Sequence, residues 1–213
     1  MANLEHWIGP RLALLSAHRL RHSENVAELT RALAQAHGLS SEAAYWAGLA
    51  HDLAREWSRE RLLAEARRLG VPVDDEERRE PILLHGPVAA AWMQEARVGN
   101  AAMWEAVRYH TTAAPGMGPL ARALFIADGT EPGRGYPEAA ALRRLALKDL
   151  DAGYRAVLEE TVRYLARRGL EPHPRMRAAL DELGLSVDEL TTGTNAGARR
   201  DGEAVPGQSG GGG

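Results

Sequence analysis

The chain has 213 residues, long enough for one domain with a substantial core and a tail. A formal charge of -3 without a basic run argues against nucleic-acid binding, and the absence of cysteine leaves only nitrogen and oxygen to hold a metal. No apolar run is long enough to span a membrane and no signal pattern opens the chain, so a cytoplasmic location is expected.

Alanine and leucine are abundant and favour helix, and the apolar spacing predicts an all-α domain over residues 1–190. After a short lead, residues 11 to about 36 read as the first helix, closed by Gly38 in a left-handed cap. His22, Val26, Leu29 and Leu33 share one face, so His22 points inward. Ser40 caps the next helix, with Glu42 in its first turn. There Ala44, Gly48, His51, Asp52 and Arg55 lie on one side, and the small residues let another helix approach closely. Ser58 opens a third helix that stops near Gly70, and residues 71–80 read as a charged surface connection.

Leu83 to Met93 predicts a further helix with Pro87 in its first turn, which sets His85 at or just before the start. Asn100 caps the next, where Met103, Ala106, Val107 and His110 share a face. From about Pro119, a helix aligns Ala121, Leu124, Phe125 and Asp128 and is expected to break at Gly129. A turn-rich loop, 131–137, leads to helices at about 137–147 and 150–168 and a short one near 175–183. From residue 191 to 213 the composition turns to Gly, Thr, Asn, Ser and charge, which predicts a disordered tail.

The adjacent pair His51-Asp52 is the first candidate site. Neighbouring side chains on a helix lie about 100° apart, so both reach one point only if it lies against the helix. His22, His85, His110 and Asp128 each sit on or beside an apolar stripe of another helix. Singly, each is a polar core residue that finds a hydrogen bond. Jointly, four histidines and two carboxylates buried without a shared partner would cost several kcal/mol, which a metal removes by taking their lone pairs. Iron, manganese or zinc suits such a donor set. His6, His18 and His37 fall at lead, exposed-face or cap positions and are set aside.

The order His22, His51-Asp52, Asp128 resembles the HD-domain metal-dependent phosphohydrolases. Leu84-His85-Gly86-Pro87-Val88, Arg108-Tyr109-His110-Thr111-Thr112 and Ala127-Asp128-Gly129-Thr130-Glu131-Pro132-Gly133-Arg134 narrow the resemblance to the bacterial symmetrical bis(5'-nucleosyl)-tetraphosphatases, over about residues 10–180. That resemblance implies an all-α HD-domain bundle with a metal site between helices, of iron type, another divalent metal such as manganese being admissible. It implies His22, His51, Asp52 and Asp128 as metal ligands, and His85 and His110 at the phosphate or on a second metal. Nucleotide contacts would come from Arg19, Arg55, Thr111 and Arg134. The implied substrate is a dinucleoside tetraphosphate, cut into two nucleoside diphosphates, with Asp128 or a nearby histidine managing the proton. A homodimer is compatible with this reading.

Two positions depart from the family pattern. His173-Pro174-Arg175-Met176 replaces a turn thought to meet the nucleoside, and Asn25 stands where a small residue is usual. The residues themselves agree with phosphate chemistry. Arg19, three before His22, and Arg55, three after Asp52, project near the centre, and Arg134 stands on a Gly-rich loop. No Gly-rich phosphate loop of Walker or Rossmann type is present, so metal and arginines must hold the phosphates. Two other classes remain open: another HD phosphohydrolase, such as a nucleotidase or cyclic-nucleotide phosphodiesterase, and a non-enzymatic sensor of nucleoside diphosphates.

Overall fold

The structure, a computed structural model, describes residues 2–192. Among them the regular elements are all helical: α1 (Ala2–Leu12), α2 (Ala17–Ala36), α3 (Ser41–Ala50), α4 (Arg59–Arg68), α5 (Asp75–Arg79), α6 (His85–Glu95), α7 (Ala101–Tyr109), α8 (Pro119–Thr130), α9 (Ala139–Lys148), α10 (Leu150–Arg167), α11 (Pro174–Glu182) and α12 (Val187–Thr191). The all-α expectation holds. Thr191 closes α12, and the rest of the expected tail, 193–213, lies outside the described residues.

The fold is built around α8. Leu120, Ala121, Ala123, Leu124, Phe125, Ile126 and Ala127 are all buried, and a helix that is apolar on every side must be enclosed. Helices α2, α3, α7, α9 and α10 enclose it. A smaller apolar cluster, Ala54, Leu62, Ala66, Val71, Leu84 and Val88, fills the space under α4 and α6. The close approach expected at the small residues of α3 is present. A Cβ added at Gly48 would lie 2.4 Å from the Cα of Ala27 on α2. Two helix axes can come this near only where one side is glycine.

Four expectations about the elements need correction. The helix expected from residue 11 to 36 is two helices, broken over residues 13–16. Ser16 caps α2 by accepting from the Arg19 N–H, and its own N–H and hydroxyl donate to Glu56 at 2.9 and 2.6 Å. The stretch 71–80 is not only a connection. Asp74 and Glu77 form a reciprocal capping box that starts α5, with acidic residues in its first turn and Arg78 and Arg79 in its last. The helix carrying Asp128 runs past Gly129 to Thr130.

The fourth correction concerns the His-Asp pair, which lies just beyond the end of α3 and not within it. His51 Nδ1 bonds the Gly48 carbonyl at 2.6 Å, the group that would accept from the Asp52 N–H if the α-helix continued. The backbone tightens instead into three-residue turns, with Leu53 bonded to Ala50 and Arg55 to Asp52.

Candidate metal centre and phosphate cleft

Four helices and their ends deliver four imidazoles to one place. His51 follows α3, His110 follows α7, His85 opens α6 after a 3-10 turn at Pro81–Leu84, and His22 lies in the second turn of α2. Every one is buried. Each ring also uses Nδ1 to bond an oxygen outside the cluster: His51 to Gly48, His85 to Ile82, His110 to Val107 and His22 to Glu131 Oε1 at 3.2 Å. Carbonyls and carboxylates only accept, so Nδ1 carries the hydrogen in all four rings. Every Nε2 therefore turns a lone pair toward the centre.

Asp52 joins these lone pairs into two groups. Its Oδ2 lies 3.4 Å from His51 Nε2 and 3.7 Å from His22 Nε2. His22 Nε2 is in turn 3.1 Å from Asp128 Oδ1 and 3.3 Å from His51 Nε2. The other oxygen, Oδ1, lies 3.1 Å from His85 Nε2 and 3.7 Å from His110 Nε2, and those two nitrogens are 2.9 Å apart. Facing lone pairs at such distances repel unless a cation sits among them. Two ligands about 2.1 Å from one ion, at right angles or tetrahedral, are themselves about 3.0–3.4 Å apart. The donor set thus fits a divalent metal in chemistry and in spacing, and subsets of it lie close enough to share an ion.

Electrostatics point the same way. Burial opposes ionisation of Asp52, but the neighbouring imidazoles of His51, His110 and His85 outweigh it and hold the carboxyl well below its usual range. Burial is likewise overcome at Asp128, which His22, His51 and Arg134 keep ionised. Among the rings, burial draws His85 down, whereas at His110 it is outweighed by the bond to Asp52 and the charge of Asp128, which raise the pKa. The centre favours positive charge.

The cluster opens into a cleft of about 590 Å³. Arg19, Arg55, Thr111 and Arg134, all expected at the nucleotide, line it. Arg19 Nη1 donates to Asp52 Oδ2 at 2.6 Å, so it grips an expected metal ligand directly. Arg134 does the same for Asp128, from Nη2 to Oδ1 at 2.7 Å and from Nε to the main-chain carbonyl at 2.9 Å. Thr111 Oγ1 stands 3.0 Å from His110 Nε2 and 3.3 Å from His85 Nε2. All ten expected site residues are therefore brought together.

The segment His173–Met176 is not on this cleft. Arg175 bonds Glu77 at 2.7 Å and Asp74 at 2.9 Å, and His173 Nε2 lies 3.1 Å from Asp74, so the segment locks α11 to α5. Helix α10 and Tyr136 also line the cleft, although the sequence had given them no role. Glu131 was also missed as a functional group, although it stands in the quoted motif. Its buried carboxylate takes His22 on one oxygen, and Asn25 Nδ2 at 2.9 Å and the Gly133 N–H on the other. Asn25, the departure from the family pattern, thus helps to hold the carboxylate that aims His22.

A helical domain that gathers a histidine, a His-Asp pair and a distant aspartate at one point is an HD domain, and the HD domain family model matches residues 19–133. The symmetrical bis(5'-nucleosyl)-tetraphosphatase of Bacillus subtilis is 31% identical over 161 residues, covering 75% of this chain and 86% of its own. The protein of that name from Staphylococcus aureus is 30% identical over 179 residues, covering 83% of this chain and 92% of its own. A solved structure described as a predicted HD superfamily hydrolase involved in NAD metabolism, from Clostridium acetobutylicum, matches with a TM-score of 0.78 at 28% identity, over 84% of this chain and 95% of that one. The chain belongs to the bacterial HD-domain symmetrical bis(5'-nucleosyl)-tetraphosphatase family and is an HD-domain phosphohydrolase.

Proposed function

We propose that the chain hydrolyses dinucleoside tetraphosphates symmetrically, to two nucleoside diphosphates, in the cytoplasm and with a divalent metal, iron before manganese. The observation that carries this is the Asp52-centred cluster of lone pairs opening onto a cleft lined by Arg19, Arg55 and Arg134. The names of the relatives supply the substrate class. His22, His51, Asp52 and Asp128 would hold one ion, and Asp52 with His85 and His110 a second. When bound, the metal neutralises phosphate charge and acidifies a water molecule.

The chain's own residues supply the rest. Arg134, held on Asp128 through Nε and Nη2, has Nη1 left to take charge that develops on the leaving diphosphate. Arg55 holds the retained one. Arg19 fixes Oδ2 of Asp52, which orients Oδ1 toward His85 and His110. The Thr111 hydroxyl donates to a phosphate oxygen beside those rings. Of the groups expected to manage the proton, Asp128 is held ionised by His22, His51 and Arg134.

Incubation with diadenosine tetraphosphate, followed by chromatography, should give ADP as the only product. ATP with AMP would overturn the symmetrical cut. Hydrolysis of nucleoside monophosphates in its place would make the chain a nucleotidase, and tight binding without turnover would make it a sensor. Elemental analysis of the purified protein tests the metal.

A further inference from the structure

We infer that a nucleobase of the substrate lies against the cleft-facing side of α10, stacked on Tyr164. This rests on the phosphohydrolase reading of the same cleft and assigns the part of it that the metal centre and arginines leave unexplained.

The cleft is lined by two unlike sets of groups. One comprises Asp52, Asp128, Arg19, Arg55 and Arg134 and suits phosphates. The other comprises Val157, Glu160, Thr161, Tyr164 and Leu165, which follow a spacing of three and four and therefore form one side of α10. Ile82, Leu83 and Phe125 add apolar groups to the same lining. A ligand made only of phosphate would have no use for such a surface. A nucleoside has a flat apolar face, a polar edge and a covalent link to phosphate, and so fits both sets of groups at once.

Tyr164 is the natural platform. It is 49% exposed although it lines a cleft, and the Arg168 guanidinium lies 5.7 Å from its ring centroid, so much of the ring stays open. Its hydroxyl accepts from Arg168 Nη1 at 3.3 Å, which restrains the ring from outside. Glu160, one turn earlier on the same side of α10, is held by Arg167 Nη2 at 2.6 Å, so a fixed carboxylate stands ready to accept from the base or ribose. The lining is also tied to the reacting groups, because the Tyr136 hydroxyl donates to the Gly129 carbonyl at 2.9 Å, one residue after Asp128. The segment 173–176 offers no rival site, since His173 and Arg175 are engaged with Asp74 and Glu77.

Calorimetric binding of ADP and of inorganic pyrophosphate to the metal-loaded full chain tests the inference without turnover. Wild type should bind ADP more tightly than pyrophosphate. Tyr164→Ala should weaken ADP by roughly tenfold to a hundredfold, the range of one lost base-aromatic stack, and leave pyrophosphate unchanged. Tyr164→Phe and Tyr164→Trp should keep most of the ADP affinity. Equal binding of ADP by Tyr164→Ala and wild type, or a parallel loss of both probes, would overturn the subsite, as would a wild type that does not distinguish ADP from pyrophosphate. A wild type that shows the expected ADP pattern yet cuts no dinucleotide would instead refute the proposed function and leave the subsite standing.

Discussion

Replacing Gly48 by alanine perturbs the metal centre through the backbone and spares every ligand. The added Cβ would meet Ala27 at 2.4 Å from its Cα, 2.8 Å from its nitrogen and 3.1 Å from its Cβ. Carbon atoms rest about 3.5–4.0 Å apart, so α2 and α3 must separate locally by about 1 Å. His22 is on α2 and His51 follows α3, and their Nε2 atoms are 3.3 Å apart. Added to that gap, the shift exceeds the spacing of about 3.4 Å that one ion spans between neighbouring ligands. Overpacking costs about 1–3 kcal/mol, and the better helix propensity of alanine returns up to about 1 kcal/mol. For a chain of this size a net loss of about 1–2 kcal/mol lowers Tm by roughly 2–8 °C. Metal affinity, read by competition with a chromogenic chelator, and turnover should fall about a hundredfold, as expected for a 1 Å misplacement. Gly9→Ala in α1 is the control: beyond its chain neighbours an added Cβ there meets nothing within 4 Å, so metal affinity should be kept. Should Gly48→Ala melt at the wild-type temperature and keep its metal, the close helix approach would not be what sets the ligand spacing.

His51→Ala and Asp52→Ala should each lose metal and activity together, the aspartate variant more completely because Asp52 serves both ligand groups; full metal content by elemental analysis would refute the assignment. Glu131→Gln keeps an acceptor for His22 but removes the charge, and should weaken metal affinity by about tenfold to a hundredfold, with Asn25→Ala milder. Arg134→Ala should lower turnover by roughly one to three orders of magnitude, with lysine rescuing only in part and the products still two diphosphates, as product chromatography will show. Burial raises the Tyr154 pKa to about 12. The unfolded phenol therefore ionises first, so the stability it contributes is intact below about pH 10 and is lost on the way to 12. In denaturant melts across that interval wild type should lose stability relative to Tyr154→Phe, and an unchanged difference would contradict the burial argument.

What the sequence made legible was the part encoded over one or two helical turns. His22, His110 and Asp128 could be placed because each continues an apolar stripe at a spacing of three or four, and Gly48 because small residues flank the doublet. The break before α2 was not legible, since Ser16 depends on Glu56, which lies 40 residues further on. Helix α5 did leave a local sign, the Asp74-x-x-Glu77 capping box, but the dense charge around it reads equally well as a solvated turn. Glu131 begins a loop, and its partner His22 is 109 residues away, a pairing that no local pattern carries. The cleft wall escaped for another reason. Glu160, Thr161 and Tyr164 alternate polar and apolar chemistry on one side of α10, and such a mixture on a helix ordinarily faces water.

The ring bonds of the four histidines differ in range, and that difference has a consequence for how the centre comes into being. His51, His85 and His110 each bond a carbonyl three residues earlier in their own turn. Those rings are aimed as soon as a single turn forms, with no help from the rest of the fold. His22 is aimed only when the loop after α8 has docked and brought Glu131 to it. Three ligands are thus prefabricated and the fourth arrives with tertiary structure. A local opening of the 131–134 loop would release one ligand and leave three in place, lowering the hold on metal without unfolding the domain. Loading and unloading can therefore proceed through that loop, while α3, α6 and α7 stay folded.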